Sequence, residues 1–129
     1  MTRPEYTPGQ AWTYRTRPGE EASRVVIRKK DIEPEDGEVF HISILDARLR
    51  NHRVDGGIQH AMHHAAVARA TLDQSLLDCV GEGNEDEAWM DGYEVWRHAY
   101  DRGDAGVFDI PVAEILGYIE KVVAASGEK

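Results

Sequence analysis

Four aromatic residues at helical spacing constrain this chain more than any other feature. Trp89, Tyr93, Trp96 and Tyr100 stand at i, i+4, i+7 and i+11. At 100° per residue they fall within about 60° of one another, on one stripe of an amphipathic helix. Glu87, Asp91, Glu94, His98 and Asp101 take the opposite face. Such a helix must bury its aromatic stripe, so the remaining sequence has to supply a surface for it. Gly92 lies beside the stripe, where a mid-helix glycine costs roughly 1 kcal/mol relative to alanine. A close backbone approach from a neighbouring element would justify that glycine; so would chance. The helix is expected to stop near Asp101-Arg102, with Gly103 as the left-handed residue beyond its end. Val107–Ile110 then reads as a short strand, and Pro111 suits the first turn of another helix.

The first half of the chain reads as strands. Residues 1–9 hold Pro4, Pro8 and Gly9 and read as an irregular arm. Trp12 and Tyr14 alternate with Ala11 and Thr13, as in a first strand. Arg17-Pro18-Gly19-Glu20 is a type II turn signal, with Pro at i+1 and Gly at i+2. Val25 and Ile27 face one way in the next strand, and Val26 faces the other. After the turn cluster Glu33-Pro34-Glu35-Asp36-Gly37, Phe40, Ile42 and Ile44 alternate with Val39, His41 and Ser43. These two segments are expected to form an antiparallel hairpin. Leu45, Ala47 and Leu49 continue on the opposite parity, a shift that a bulge would produce.

The second half is mostly helical in pattern. Asn51–Gly57 is a loop, and Ile58–Met62 fits a short strand or the start of a helix, of which the short strand is favoured. A helix is expected over 67–80, with Ala68, Leu72, Leu76 and Cys79 as its apolar stripe. Gly81 to Asp86 is an acidic, glycine-containing loop. A last helix over 111–125 carries Val112, Ile115, Ile119 and Val122, widened by Leu116 and Val123, and the tail 126–129 is expected to fray. Strands largely precede helices, which predicts a single α+β domain over 1–129. Its antiparallel sheet of four to five strands would carry three helices packed on one face.

Charge and composition narrow the function classes. The net charge is −9. Residues 1–53 carry ten Lys/Arg and nine Asp/Glu, whereas residues 54–129 carry five and fifteen. An acidic second half disfavours nucleic acid and anionic membranes, whose phosphates it would repel. The same charge attracts a basic protein. No apolar run is long enough for a transmembrane helix, and the opening MTRPEYTPGQ has no apolar core of a secretory signal. One cysteine, Cys79, cannot make an internal disulfide, so the cytoplasm is the expected compartment.

Trp12-x-Tyr14-x-x-Arg17-Pro18-Gly19-Glu20-x-x-Ser23, together with Gly92-Tyr93-x-x-Trp96 and Ala105-Gly106-Val107-Phe108, resembles a family of small bacterial proteins with no established activity. The resemblance implies a bacterial, stand-alone domain and brings no site residue with it.

Candidate chemistry is sparse. His60, His63 and His64 lie close together, and on a helix His60 and His64 would share a face at a spacing zinc can use. Ala61 stands where a zincin motif needs glutamate. On a strand the two histidines would be about 13 Å apart, too far for one ion. Cys79 reads as a buried, inert thiol. Asp31-x-Glu33-x-Glu35-Asp36-Gly37 lacks the glycine position and final glutamate of a calcium loop. No cofactor is expected. Glu82, Glu85, Asp86, Glu87, Asp91 and Glu94 place six carboxylates within thirteen residues, with no Lys or Arg among them, and His98 follows on the same helix. The favoured expectation is a non-enzymatic interaction domain that docks a basic protein on this surface, in the manner of an immunity or antitoxin-type inhibitor. The alternative is a small metal-binding protein or enzyme using His60, His63 and His64. Self-association stays open.

Overall fold

A computed structural model of the protein describes residues 5–126. Residues 1–4 of the expected arm and 127–129 of the expected tail lie outside the described residues. Strands β1 (Gln10–Tyr14), β2 (Arg24–Glu33), β3 (Gly37–Leu45), β6 (Met62–Ala68) and β7 (Leu76–Glu82) form a five-stranded antiparallel sheet in the order β6-β3-β2-β1-β7. Strands β4 (Leu49–Arg50) and β5 (Ile58–Gln59) make a separate two-stranded ribbon. The helices are α1 (Arg69–Ser75), α2 (Trp89–Asp101) and α3 (Val112–Ser126). The fold is α+β, as the order of strands and helices implies.

The expected hairpin is β2–β3. Gly37 closes its turn at φ +68°, a conformation glycine adopts without a Cβ penalty. Val25 pairs with Ile44 and Ile27 with Ile42, so one face is continuously apolar. Phe40, Ile42, Ile44, Ala65 and Val67 extend it, and Leu72 of α1 with Val112, Ile115 and Leu116 of α3 cover it. Tyr6, in the segment before β1, is buried in the same core and stands edge-on to Phe40. That segment is irregular but packed.

The other face carries the main correction. Three helices on one face do not form; α1 and α3 cover one side of the sheet and α2 covers the other. The alternation in β3 places His41 and Ser43 on the face opposite Phe40, Ile42 and Ile44. Both are buried, because the aromatic stripe of α2 lies against that face. A bulge at Arg28 prepares the surface. Ile27 pairs with Ile42, but Lys29 pairs with His41, leaving Arg28 as the extra residue. Positions 29 and 31 therefore switch to the face opposite Val25 and Ile27.

Residues 67–80 are not one helix. Residues 62–68 extend β6, α1 spans seven residues, and β7 pairs with β1 through Trp12–Cys79 and Tyr14–Leu76. Backbone pairing decides this, since β1 would otherwise leave a row of N–H and C=O groups open beside the sheet. Cys79 is consequently exposed on an edge strand, not buried on a helix. The expected bulge after Ile44 is instead the end of β3, where Asp46 turns the chain at φ +54°. The expected strand at 107–110 reduces to one parallel bridge between Val67 and Phe108. No helix among the described residues is long and apolar enough to cross a membrane.

The Arg17-Pro18-Gly19-Glu20 turn forms as expected, with Gly19 at φ +88° and Glu20 N donating to Arg17 O. It is also a clamp. The Arg17 guanidinium donates to both carboxylate oxygens of Glu20 and to Glu120 of α3. Glu20 in turn accepts from the backbone N–H of Arg48 at 2.6 Å. Burial works against a charged Glu20, but these donors outweigh it and hold its pKa below the usual value.

Phe40→Ala should cost about 3–5 kcal/mol in urea unfolding, because it opens a cavity between the sheet and the α1–α3 layer. Val95→Ala, at a solvent-facing position of α2, should change stability by no more than about 0.5 kcal/mol.

Candidate interaction face on the central helix

The underside of α2 is pinned to the sheet by a polar hub. Asp31 Oδ2 accepts from Tyr93 Oη at 3.1 Å and from Arg97 Nη2 at 2.8 Å, and it lies 2.9 Å from His41 Nε2. Arg97 Nη2 also reaches Glu33 at 2.8 Å. His41 is fully buried, and its Nδ1 is 2.9 Å from His64 Nε2, with the two rings stacked. The carboxylate fixes the tautomers. His41 donates from Nε2 to Asp31, so its Nδ1 accepts from the Nε2–H of His64. The rings of Tyr93 and Trp96 stand edge-on to His41 at 4.7 and 4.9 Å. Trp96 Nε1 donates to Gly106 O, and Tyr100 Oη donates to Asp36. The aromatic stripe is thus inward as the spacing implies, but half-buried on a histidine–carboxylate surface and not within the aliphatic core.

Glycine sets how closely these parts approach. A Cβ on Gly92 would lie 2.9 Å from His64 Cβ, so the glycine lets α2 sit directly on β6. A Cβ on Gly83 would collide with the Val26 side chain. The acidic loop before α2 is therefore pressed onto the sheet, and Gly83 N donates to Gly9 O.

This anchoring presents the six candidate carboxylates outward. Glu82, Glu85, Glu87, Asp91 and Glu94 are exposed, and Asp86 is half-buried with Oδ1 accepting from Ala88 N. The N-terminal end of α2 stabilises the negative charge there. No ion pair among the described residues involves any of the six. Glu82, Glu85, Asp86 and Glu87 line a cavity of about 650 Å³, together with Trp89 and Met90. Arg28 also lines it, but its guanidinium is held by Asn84 O at 2.6 Å and Asn84 Oδ1 at 2.9 Å. His98, the seventh candidate, is exposed at the far end of the helix.

The histidine cluster divides. His60 and His63 are exposed, whereas His64 turns inward to His41. Among the described residues no group of three or more His, Cys, Asp or Glu side chains is placed to hold a metal ion. The hub residues Asp31, His41 and Arg97 carry no signal as a constellation in the sequence. One hint exists: Arg97 is the only Lys or Arg between residues 70 and 101.

Burial lowers the pKa of His41 against the opposing pull of Asp31. Burial also lowers His64, to about 4, with His41 adding to the shift. For Asp31, burial alone would raise the pKa, but the hydrogen bonds and charges of Lys29 and His41 together bring it below its usual value.

The histidines are thus neutral in the folded protein, and the unfolded chain binds protons more readily below the usual histidine value of about 6.5. Stability should be full above pH of about 6.5 and fall as pH drops toward about 4, as read by melting temperature against pH. His64→Gln should flatten that slope. Gly92→Ala should destabilise the fold despite the higher helix propensity of alanine, because its methyl group meets His64.

Comparison with protein-family models, curated proteins and solved structures finds no match to this chain. The resemblance drawn from the Arg17-Pro18-Gly19-Glu20 and Gly92-Tyr93-x-x-Trp96 segments gains no support from it.

Proposed function

We propose that this chain is a non-enzymatic interaction domain that docks a basic protein on the surface formed by Glu82, Glu85, Asp86, Glu87, Asp91 and Glu94. The observation that carries this reading is that none of the six forms an ion pair among the described residues, around a cavity that also exposes Trp89 and Met90 and whose one cation, Arg28, is held by Asn84. A lysine or arginine entering that cavity gains charge attraction and can lie against an indole ring. Met90 and Val95 are exposed between the acids, at 44% and 72% of their accessible surface. They offer the apolar contact that an acidic rim alone lacks. The helix is held from below by Asp31, His41 and His64, so docking would order little that is not ordered already.

The concrete form of this reading is an inhibitor that masks a basic surface on another protein, as an immunity or antitoxin protein does. The metal or enzyme alternative at His60, His63 and His64 has less support, because His64 is committed to His41.

A lysine- and arginine-rich peptide should bind the intact protein, with affinity falling as salt rises. Reversing Glu87, Asp91 and Glu94 to lysine should weaken that binding by roughly tenfold or more in calorimetric titration. Reversing Asp55 and Glu114, which lie elsewhere on the surface, should leave it nearly unchanged. Equal losses in the two variants would reject the docking surface.

A further inference from the structure

A second cavity lies on the opposite side of the sheet from α2, between the β4–β5 region and α3. Its volume is about 770 Å³, within the range of small-molecule sites. Arg17, Arg50 and Lys121 line it against one carboxylate, Glu120. With Glu20, which Arg17 also binds, counted, the cluster is still net positive in a chain whose net charge is −9.

The single carboxylate is already neutralised. Glu120 accepts from Arg17 Nη1 at 2.8 Å, from Arg50 N at 2.8 Å, and from Arg50 Nη2 at a longer 3.4 Å. Arg17 is used up by Glu20 and Glu120, and its role is to fix the wall of the cleft. Arg50 and Lys121 are different. The Arg50 side chain is 82% exposed and, among the described residues, makes only the long contact to Glu120. Lys121 is exposed and has no ion pair among the described residues. Two unspent cations therefore stand over one cleft, on separate elements. His52, at its edge, bonds the Val123 carbonyl through Nε2, which holds the 51–57 loop against α3.

Gly117 gives an independent indication. It lies in the middle of α3 and lines the cleft. Glycine is unfavourable in a helix interior. At Gly92 the close approach of His64 accounts for the glycine, but a Cβ on Gly117 would meet nothing within 4 Å. Among the described residues nothing requires this glycine. What it keeps open is the space above the helix, between Arg50 and Lys121.

We infer that this cleft binds a small molecule bearing an oxyanion group, held by Arg50 and Lys121 with its body over Gly117. Phosphate and carboxylate share the required chemistry, since both accept charge-assisted hydrogen bonds from a guanidinium and an ammonium. The acidic surface of α2 plays no part in this.

The test is calorimetric titration of the full chain at low ionic strength with inorganic phosphate, pyrophosphate and succinate. At least one should bind, and whether phosphates or succinate binds tighter assigns the oxyanion. Arg50→Gln and Lys121→Gln should each weaken that binding by roughly tenfold or more. Gly117→Leu should abolish it by filling the cleft, with far-UV circular dichroism unchanged. Arg102→Gln, which removes one charge at the end of α2, should bind as the parent does. Absence of binding by all three probes overturns the inference. So does an equal loss in Arg50→Gln and Arg102→Gln, which would mean general charge attraction only. Should Gly117→Leu fail to fold, the two exposed glutamine variants decide the matter.

Discussion

One carboxylate holds the two layers on the α2 side of the sheet together. Asp31 Oδ2 gathers His41 from β3 and both Tyr93 and Arg97 from α2. Removing any one donor would leave a partly buried charge less well satisfied, and such losses are more severe than the net worth of the bond itself. The Asp31 contact also orders His41, which orders His64, against which Gly92 sits. The position of α2 on the sheet, and with it the placement of every acidic residue from 87 to 94, depends on this chain of contacts.

That arrangement separates two kinds of face. The sheet's apolar side is closed by α1 and α3 through aliphatic packing, which is non-directional and insensitive to pH. The other side is closed by aromatic rings over neutral histidines and a charged hub, which is directional and proton-sensitive. The same helix therefore has an inner surface that fixes its geometry and an outer surface on which Glu87, Asp91 and Glu94 form no ion pair among the described residues. The hub's titratable groups are engaged in holding the helix, and the docking role proposed above draws on the acidic ridge this leaves facing outward. On the far side, the clamp of Arg17, Glu20 and Glu120 organises a cleft of opposite sign.

Local patterns carried the parts that depend on neighbours in sequence. The β2–β3 hairpin, the type II turn at Pro18-Gly19, the end of α2 at Gly103 and the inward aromatic stripe all follow from spacing or from a glycine's backbone freedom. The close approach at Gly92 was one of two readings of that glycine, and the structure gives its cause, the His64 side chain that a Cβ would meet. The helix expected over 67–80 failed because Leu72, Leu76 and Cys79 fit a helical period, while the open edge of β1 favoured a strand from Leu76 onward. Cys79 moved from a buried helix face to an exposed edge as a result. The alternation assigns His41 to the face opposite Phe40 and Ile42 but not its burial, which comes from α2.

The sequence by itself determined the α+β class, the hairpin, the amphipathic helix and the uncompensated acidity of 82–94. These rest on periodicity and charge, which need no knowledge of distant residues. The tertiary structure alone decided which side of the sheet α2 covers and that Asp31, His41, His64 and Arg97 form one hub. The physical reason is the bulge at Arg28. One extra residue exchanges the faces of everything after it in β2, turning Lys29 and Asp31 toward α2. Nothing in the alternation of Val25, Val26 and Ile27 announces that exchange.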